Sequence, residues 1–184
     1  RGEAMHGMGY SEPQAGSDLA ALRTSAVRNG EHWVINGQKI WTTTWWGKYM
    51  FLAARTDKDA RPPHAGISMF IVPMDAPGVR LVRRLRWMGC EDHVAPIGEL
   101  SFDHVRVPRE NLLGAEGEGF KVAQVRLGPA RIHHCMRSIG LCELLIELMM
   151  ARAAERSAFG RTVIQYDTVQ RWIAESRVEL EQAR

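Results

Sequence analysis

Residues 22–44 read LRTSAVRNGEHWVINGQKIWTTT, and how this stretch is parsed decides the fold. Asn29-Gly30 and Asn36-Gly37 each stand between short runs of β-prone residues. Asn-Gly supplies the two positive-φ positions of a type I′ turn, so the spacing predicts a three-strand antiparallel meander. Working outward, further strands are expected at 50–55, at 67–72 before Pro73, at 79–83 and at 99–105 before Pro108, with Gly and Pro punctuating between them. Short strands at such spacing suggest a small antiparallel barrel or a sandwich.

The character of the chain changes near Arg109. Segment 111–120, NLLGAEGEGF, is a Gly-rich connector. From 119 to about 156 apolar residues, among them Phe120, Val125, Ile132, Ile139, Leu145 and Met149, recur at helical spacing, and Gly128-Pro129 is expected to kink or interrupt the helix. A second helix is expected from about Asp167, an N-cap candidate, through Trp172, Ile173 and Leu180. Two helices of this length cannot bury both apolar faces alone, which points to a larger bundle or an oligomer. The fold class is therefore α+β and multidomain: a small antiparallel β-barrel at 1–115, then long helices at 116–184 that begin a truncated bundle. No internal repeat or low-complexity segment interrupts either part.

Composition bounds what such a chain can be. Its 184 residues are 45% hydrophobic and 24% charged, enough for a core in one or two domains, and this excludes disorder, collagen and a pure coiled coil. A net charge of +3 is too balanced to make nucleic acid or a membrane surface the main partner. No apolar run approaches the roughly 20 residues of a membrane span. The three cysteines, Cys90, Cys135 and Cys142, form no C-x-x-C pair, so neither a disulfide framework nor a zinc site is encoded. The expectation is a soluble, intracellular chain that is a piece of a longer protein, since it starts without Met and stops inside a helical pattern.

Two segments offer chemistry. Residues 9–18, GYSEPQAGSD, form a polar turn in which Pro13 and Gly16 fix backbone angles while Tyr10, Ser11 and Ser17 offer hydroxyl and backbone donors to a ligand carbonyl or ring nitrogen. An ordinary loop with a helix cap is the plain alternative. Residues 41–46, WTTTWW, interleave rigid aromatic surface with hydroxyls at the end of an expected strand, a mixture suited to a planar ring. Its plain alternative is a Trp alternating into a β core beside strand-forming threonines.

The remaining candidates read more plainly. His133 and His134 are about 100° apart on a helix and cannot share a metal as an i, i+4 pair would. Glycines 114, 117 and 119 make a hinge rather than a nucleotide-binding loop. The run RLVRRLR at 80–86 reads as a solvated strand edge. Arg131 and Arg156 are the other candidates for anion contacts.

In this order and spacing, SEP-x-AGSD (11–18), INGQKIWTT (35–43), MDAPGV (74–79), SFDHVRVPRENLLG (101–114), GEGF (117–120) and RSAFG (156–160) resemble the acyl-CoA dehydrogenase family over almost the whole chain. The helical half is similar to a branch that includes large eukaryotic members with an appended kinase-like domain, and the first half is closer to bacterial members. The resemblance implies a subunit of three parts, with FAD between a middle β-barrel and a C-terminal four-helix bundle. It implies that the flavin-contacting loop falls on Met8, Tyr10, Ser11, Gly16 and Ser17, with Ser17 also reaching the CoA portion of the substrate. The second flavin segment falls on Trp41, Thr42 and Thr43, the Trp against the ring and Thr43 near its N5. Arg156 and Phe159 would reach the FAD of a neighbouring protomer, which implies a homo-oligomer, a dimer of dimers, and Arg131 would bind substrate.

The implied activity is α,β-dehydrogenation of an acyl-CoA to the trans-2-enoyl-CoA, with electrons passed to an electron-transfer flavoprotein. The alternatives are an oxidase that uses oxygen or a silent subunit of a hetero-oligomer. The location implied is cytoplasmic for a bacterial protein and the mitochondrial matrix for a eukaryotic one. Three departures accompany the match. Tyr166-Asp167 stands where many members have His-Gln, Gly128 where an acidic or polar residue often precedes the Arg, and Ala130 where a minority place the catalytic Glu. In most members that Glu lies well downstream, so no catalytic residue is expected in these 184 residues, and no metal.

Overall fold

The computed structural model describes residues 4–87 and 97–184, in two compact units, Arg1–Val125 and Arg126–Arg184. Cys90 lies outside the described residues. The first unit holds strands β1 (His6–Gly9), β2 (Ser25–Asn29), β3 (His32–Thr43), β4 (Tyr49–Arg55), β5 (Ile67–Pro73), β6 (Val79–Leu85), β7 (Ile97–Pro108) and β8 (Leu112–Leu113). One sheet joins them in the order β6-β7-β3-β2-β4-β5-β8, with β1 pairing β4. Most pairs are antiparallel, but β1 runs parallel to β4, with His6 opposite Tyr49, and β2 meets β4 through a parallel bridge at Ser25 and Arg55.

Alternation along the strands builds the core. Trp33 and Ile35 of β3, Met50, Leu52 and Ala54 of β4, Phe70 and Val72 of β5, and Val105 and Val107 of β7 are buried in one cluster. The Trp33 indole stands edge-on to Phe70 at 5.2 Å. Because β5 and β7 lie far apart in the sheet order yet feed one cluster, the sheet coils around a single core, the barrel-like arrangement the sequence predicts. The opposite face of β4 and β5 is covered too: Ala53, Ile67 and Met69 pack with Ala15, Leu22 and Ala123. Burial on both faces explains why β4 and β5 are almost continuously apolar.

The meander expectation needs correcting. Asn36-Gly37 is not a turn; β3 runs straight through it, twelve residues long, with a register shift against β7 between Ile35 and Gly37. A glycine suits a bulge as well as a turn, and here the bulge wins because β3 keeps its pairing with β7 on both sides of the shift. The first hairpin does form. Its two-residue loop is Gly30-Glu31 between paired Asn29 and His32, with only Gly30 at positive φ, the pattern of a II′ rather than a I′ turn. The basic run at 80–86 is the exposed edge strand β6, as expected. Arg80 and Arg83 pair with Asp103 and Glu99 of β7, and Arg84 lies over the Trp45 ring.

Helix α1 (Gly119–Glu155) leads from the first unit into the second, and α2 (Asp167–Ala183) follows it. Of the kink or interruption expected at Gly128-Pro129, the interruption does not occur: Pro129 sits inside a continuous helix. The missing N–H and the ring cost one intrahelical bond, and the hydrogen bonds on either side carry the helix through. Asp167 is also not the N-cap. That position is Tyr166, and Asp167 is the first helical residue, where its charge still favours the helix N-terminus. Within the second unit the two helices are antiparallel, since Ile139 and Ile146 pack on Leu180 and Glu143 pairs with Arg177 and Arg184. Leu141, Leu144, Leu145, Leu148 and Trp172 remain exposed there. Between α1 and α2 lies a small hairpin of β9 (Ser157–Ala158) and β10 (Arg161–Thr162). No helix among the described residues is long and apolar enough to cross a membrane.

Candidate functional site

The site is built where the 8–17 segment meets the end of β3. Met8 is half-buried on β1, and the chain then leaves the strand at Tyr10 and Ser11, both half-buried. Glu12 and Ala15 exchange both backbone hydrogen bonds, at 2.8 and 3.0 Å, which closes a tight turn over Pro13-Gln14 and leaves Gly16 and Ser17 exposed beyond it. The Ile40 N–H donates to the Ser11 carbonyl at 2.9 Å, so this loop is stitched to β3 one residue before Trp41. Sequence reasoning named both segments, and the structure brings them together.

At this junction β3 carries its second register shift, between Lys39 and Thr42. Trp41 takes a left-handed φ of 61°, an uncommon conformation for a bulky residue. The bulge turns its indole outward, where it is 56% exposed, and sends Thr42 inward and Thr43 out to solvent. The Thr42 hydroxyl is buried without a hydrogen-bond partner from the protein. A strained, outward-facing indole beside an exposed threonine hydroxyl and a loop of further donors matches a planar, polar ring system. The residues present thus fit the isoalloxazine of FAD.

Sequence reasoning missed what holds these segments in place. Lys39 and Glu12 form an ion pair at 2.8 Å with side chains 0% and 3% exposed. The Glu12 carboxylate also accepts the backbone N–H of Arg23 at 2.7 Å and of Thr24 at 2.9 Å, and the Gln14 amide at 2.7 Å. The Lys39 ammonium donates a second bond, to the Tyr10 carbonyl at 3.0 Å. Burial pushes the Glu12 carboxyl upward, but the Lys39 charge and the hydrogen bonds from Lys39, Thr24 and Arg23 outweigh it and hold it at about 2. For Lys39 burial dominates and lowers its pKa to about 8, the attraction of Glu12 offsetting only part of it. The available signal was a lysine on the inward-facing register of a strand whose other inward residues are Trp33, Ile35 and Thr42.

The other named residues lie in the second unit. Arg131 is exposed on α1. Arg156 follows the last residue of that helix, about 37 Å along the axis from Arg131, so within one chain the two do not share a site. Phe159 (φ 50°) and Gly160 (φ 82°) form the tip of the β9–β10 hairpin, and the Phe159 side chain is 99% exposed. The hairpin is braced: the Tyr166 hydroxyl donates to the Ala158 carbonyl at 2.8 Å, and the Arg161 guanidinium lies 3.8 Å over the Tyr166 ring. His133 and His134 are both exposed, and the described residues hold no cluster of metal-ligating side chains.

Comparison with known proteins follows the same division. Residues 7–105 match the family described as acyl-CoA dehydrogenase, middle domain, and residues 117–184 match acyl-CoA dehydrogenase, C-terminal domain. The chain is similar to acyl-CoA dehydrogenase family member 11 of Rattus norvegicus, 40% identical over 100% of this chain and 24% of that protein. It is 43% identical to the probable acyl-CoA dehydrogenase FadE2 of Mycobacterium tuberculosis, over 100% of this chain and 46% of that one. Among solved structures, the acyl-CoA dehydrogenase of Geobacillus kaustophilus superposes with a TM-score of 0.88 at 35% identity, over 96% of this chain and 46% of that chain. The chain thus spans less than half the length of the relatives it matches.

Proposed function

This chain belongs to the acyl-CoA dehydrogenase family, and from that premise we propose that the full-length protein oxidises an acyl-CoA thioester to the trans-2-enoyl-CoA. The observation that carries the reading is Trp41, held outward at a left-handed φ beside Thr43 and stitched to the 10–12 loop through Ile40 and Ser11. FAD, held there by Trp41, Thr43 and the 10–12 loop, would supply the two-electron redox chemistry that such an oxidation needs. The indole of Trp41 gives the ring a flat apolar surface and keeps water from one of its faces. Thr43 offers a hydroxyl and a backbone N–H toward the polar edge of the ring, while Ser11 and Ser17 supply donors on the opposite segment. Arg131 on α1 binds the substrate, one turn after Gly128, which offers no side chain to the CoA ribose.

The α-proton is removed by a glutamate outside these residues, since the position before Arg131 is Ala130. Residues 1–115 then serve as the middle domain and 116–184 as the start of the C-terminal bundle. Arg156 and the exposed Phe159 reach a neighbouring copy's FAD in a dimer of dimers, which explains a rigid hairpin that carries its aromatic ring wholly in solvent. Electrons leave to an electron-transfer flavoprotein.

The test is the visible spectrum of the full-length protein under anaerobic conditions, before and after addition of a panel of acyl-CoAs. Bleaching of a bound flavin by at least one of them is expected, without oxygen consumption when air is admitted. Rapid oxygen uptake would replace the dehydrogenase reading by the oxidase, and a flavin that no acyl-CoA bleaches would overturn both.

A further inference from the structure

Among the described residues, Glu12–Lys39 is the ion pair buried at both ends, and its bonds join the two segments that form the proposed site to each other and to the start of β2. Lys39 ties β3 to the Tyr10 carbonyl, one residue from Ser11 and two from Trp41. Glu12 ties the same loop to the backbone of Arg23 and Thr24, where the chain enters β2. A pair of this kind is a poor source of stability, because desolvating two charges cancels most of their attraction. Both partners reflect that balance: folding favours the ionised Glu12 and disfavours the charged Lys39. Its directional bonds therefore matter more than its net energy. An apolar pair of the same volume would fill the space without fixing where the loop sits along β3.

We infer that Glu12 and Lys39 are positioning residues: the pair sets the register of the 10–12 loop against the end of β3, and through it the seating of FAD between Ser11 and Trp41. The inference rests on the proposed function and extends it to two residues that touch neither cofactor nor substrate. It also explains why this end of the sheet carries a lysine on its inward register.

The double variant Glu12→Gln/Lys39→Met in the full-length protein tests it, since it keeps the volume and leaves no unpaired buried charge. Three quantities are measured: the thermal midpoint without FAD, the FAD dissociation constant, and the fluorescence of the bound flavin. The expected result is a midpoint close to wild type, FAD binding weaker by about tenfold or more, and brighter bound flavin because Trp41 no longer holds its place against the ring. Binding and quenching equal to wild type would overturn the inference and leave the pair as packing. If the double variant does not fold, Glu12→Asp carries the same comparison: it keeps both charges and shortens the tie by one methylene. Weaker FAD at an unchanged midpoint supports the inference, and unchanged FAD affinity overturns it. A wild-type protein that folds but takes up no FAD would overturn the functional reading itself, and the inference with it.

Discussion

Glu12 and Lys39 show what a single residue can hide from a sequence. Their ion pair spans 27 positions, and the local spacing of neither residue announces the other. Trp41, by contrast, was legible, because a tryptophan amid threonines at a strand end is unusual in itself. Its left-handed φ was not, since that follows from the bulge between Lys39 and Thr42 rather than from the residue. A pH prediction belongs at this scale. Glu12 has a folded pKa of about 2 against an ordinary 4.5, so its contribution to stability is complete above about pH 4.5 and is lost as the pH falls toward 2, the unfolded chain taking the proton first. Lys39 gives a slope of the same sign at higher pH: its folded value of about 8 lies below the ordinary 10.5, so stability gains as the pH rises between them. Thermal midpoints of the full-length protein recorded against pH should fall more steeply below pH 4.5 for wild type than for Glu12→Gln, and parallel curves would count against the pair.

Strand β3 is the element on which the site depends. The positions of β4 to β7 were readable from the sequence, but Asn36-Gly37 was misleading because the same dipeptide serves a turn and a bulge. What decides between them is the partner strand β7, which no local window contains. Gly37 is packed closely: a Cβ there would lie 2.6 Å from the Thr24 Cα, next to the backbone that Glu12 holds. Gly37→Ala is expected to destabilise the protein by about 1–3 kcal/mol, read from the urea midpoint, and an unchanged midpoint would contradict the packing described. Strand β1 escaped the sequence reading because four residues with two glycines carry little β signal, and their pairing with β4 is parallel and distant. In the helical part, periodicity gave α1 and α2 correctly, and Pro129 shows that one lost hydrogen bond does not end a helix of 37 residues.

Across the molecule the two units carry different parts of the proposed chemistry. The unit Arg1–Val125 presents the flavin-facing segments, and the unit Arg126–Arg184 carries Arg131 and the Phe159 hairpin. Apolar residues left exposed on α1 and α2, among them Leu144, Leu148 and Trp172, agree with the prediction that two helices alone cannot bury their own faces. Family, barrel and bundle were all legible, since several independent motifs fall in order. The ties that align the site were not, because they depend on contacts between distant segments. The central claim is that Trp41 and the 10–12 loop seat FAD, and an FAD titration of the full-length protein beside its Trp41→Gly variant tests it most directly. Glycine suits the left-handed φ, so the stability of the variant should stay within about 1 kcal/mol of wild type. The account predicts saturable FAD uptake by wild type and binding at least about tenfold weaker in the variant. Equal affinity in the two, or a folded wild-type protein that takes up no FAD, would contradict it.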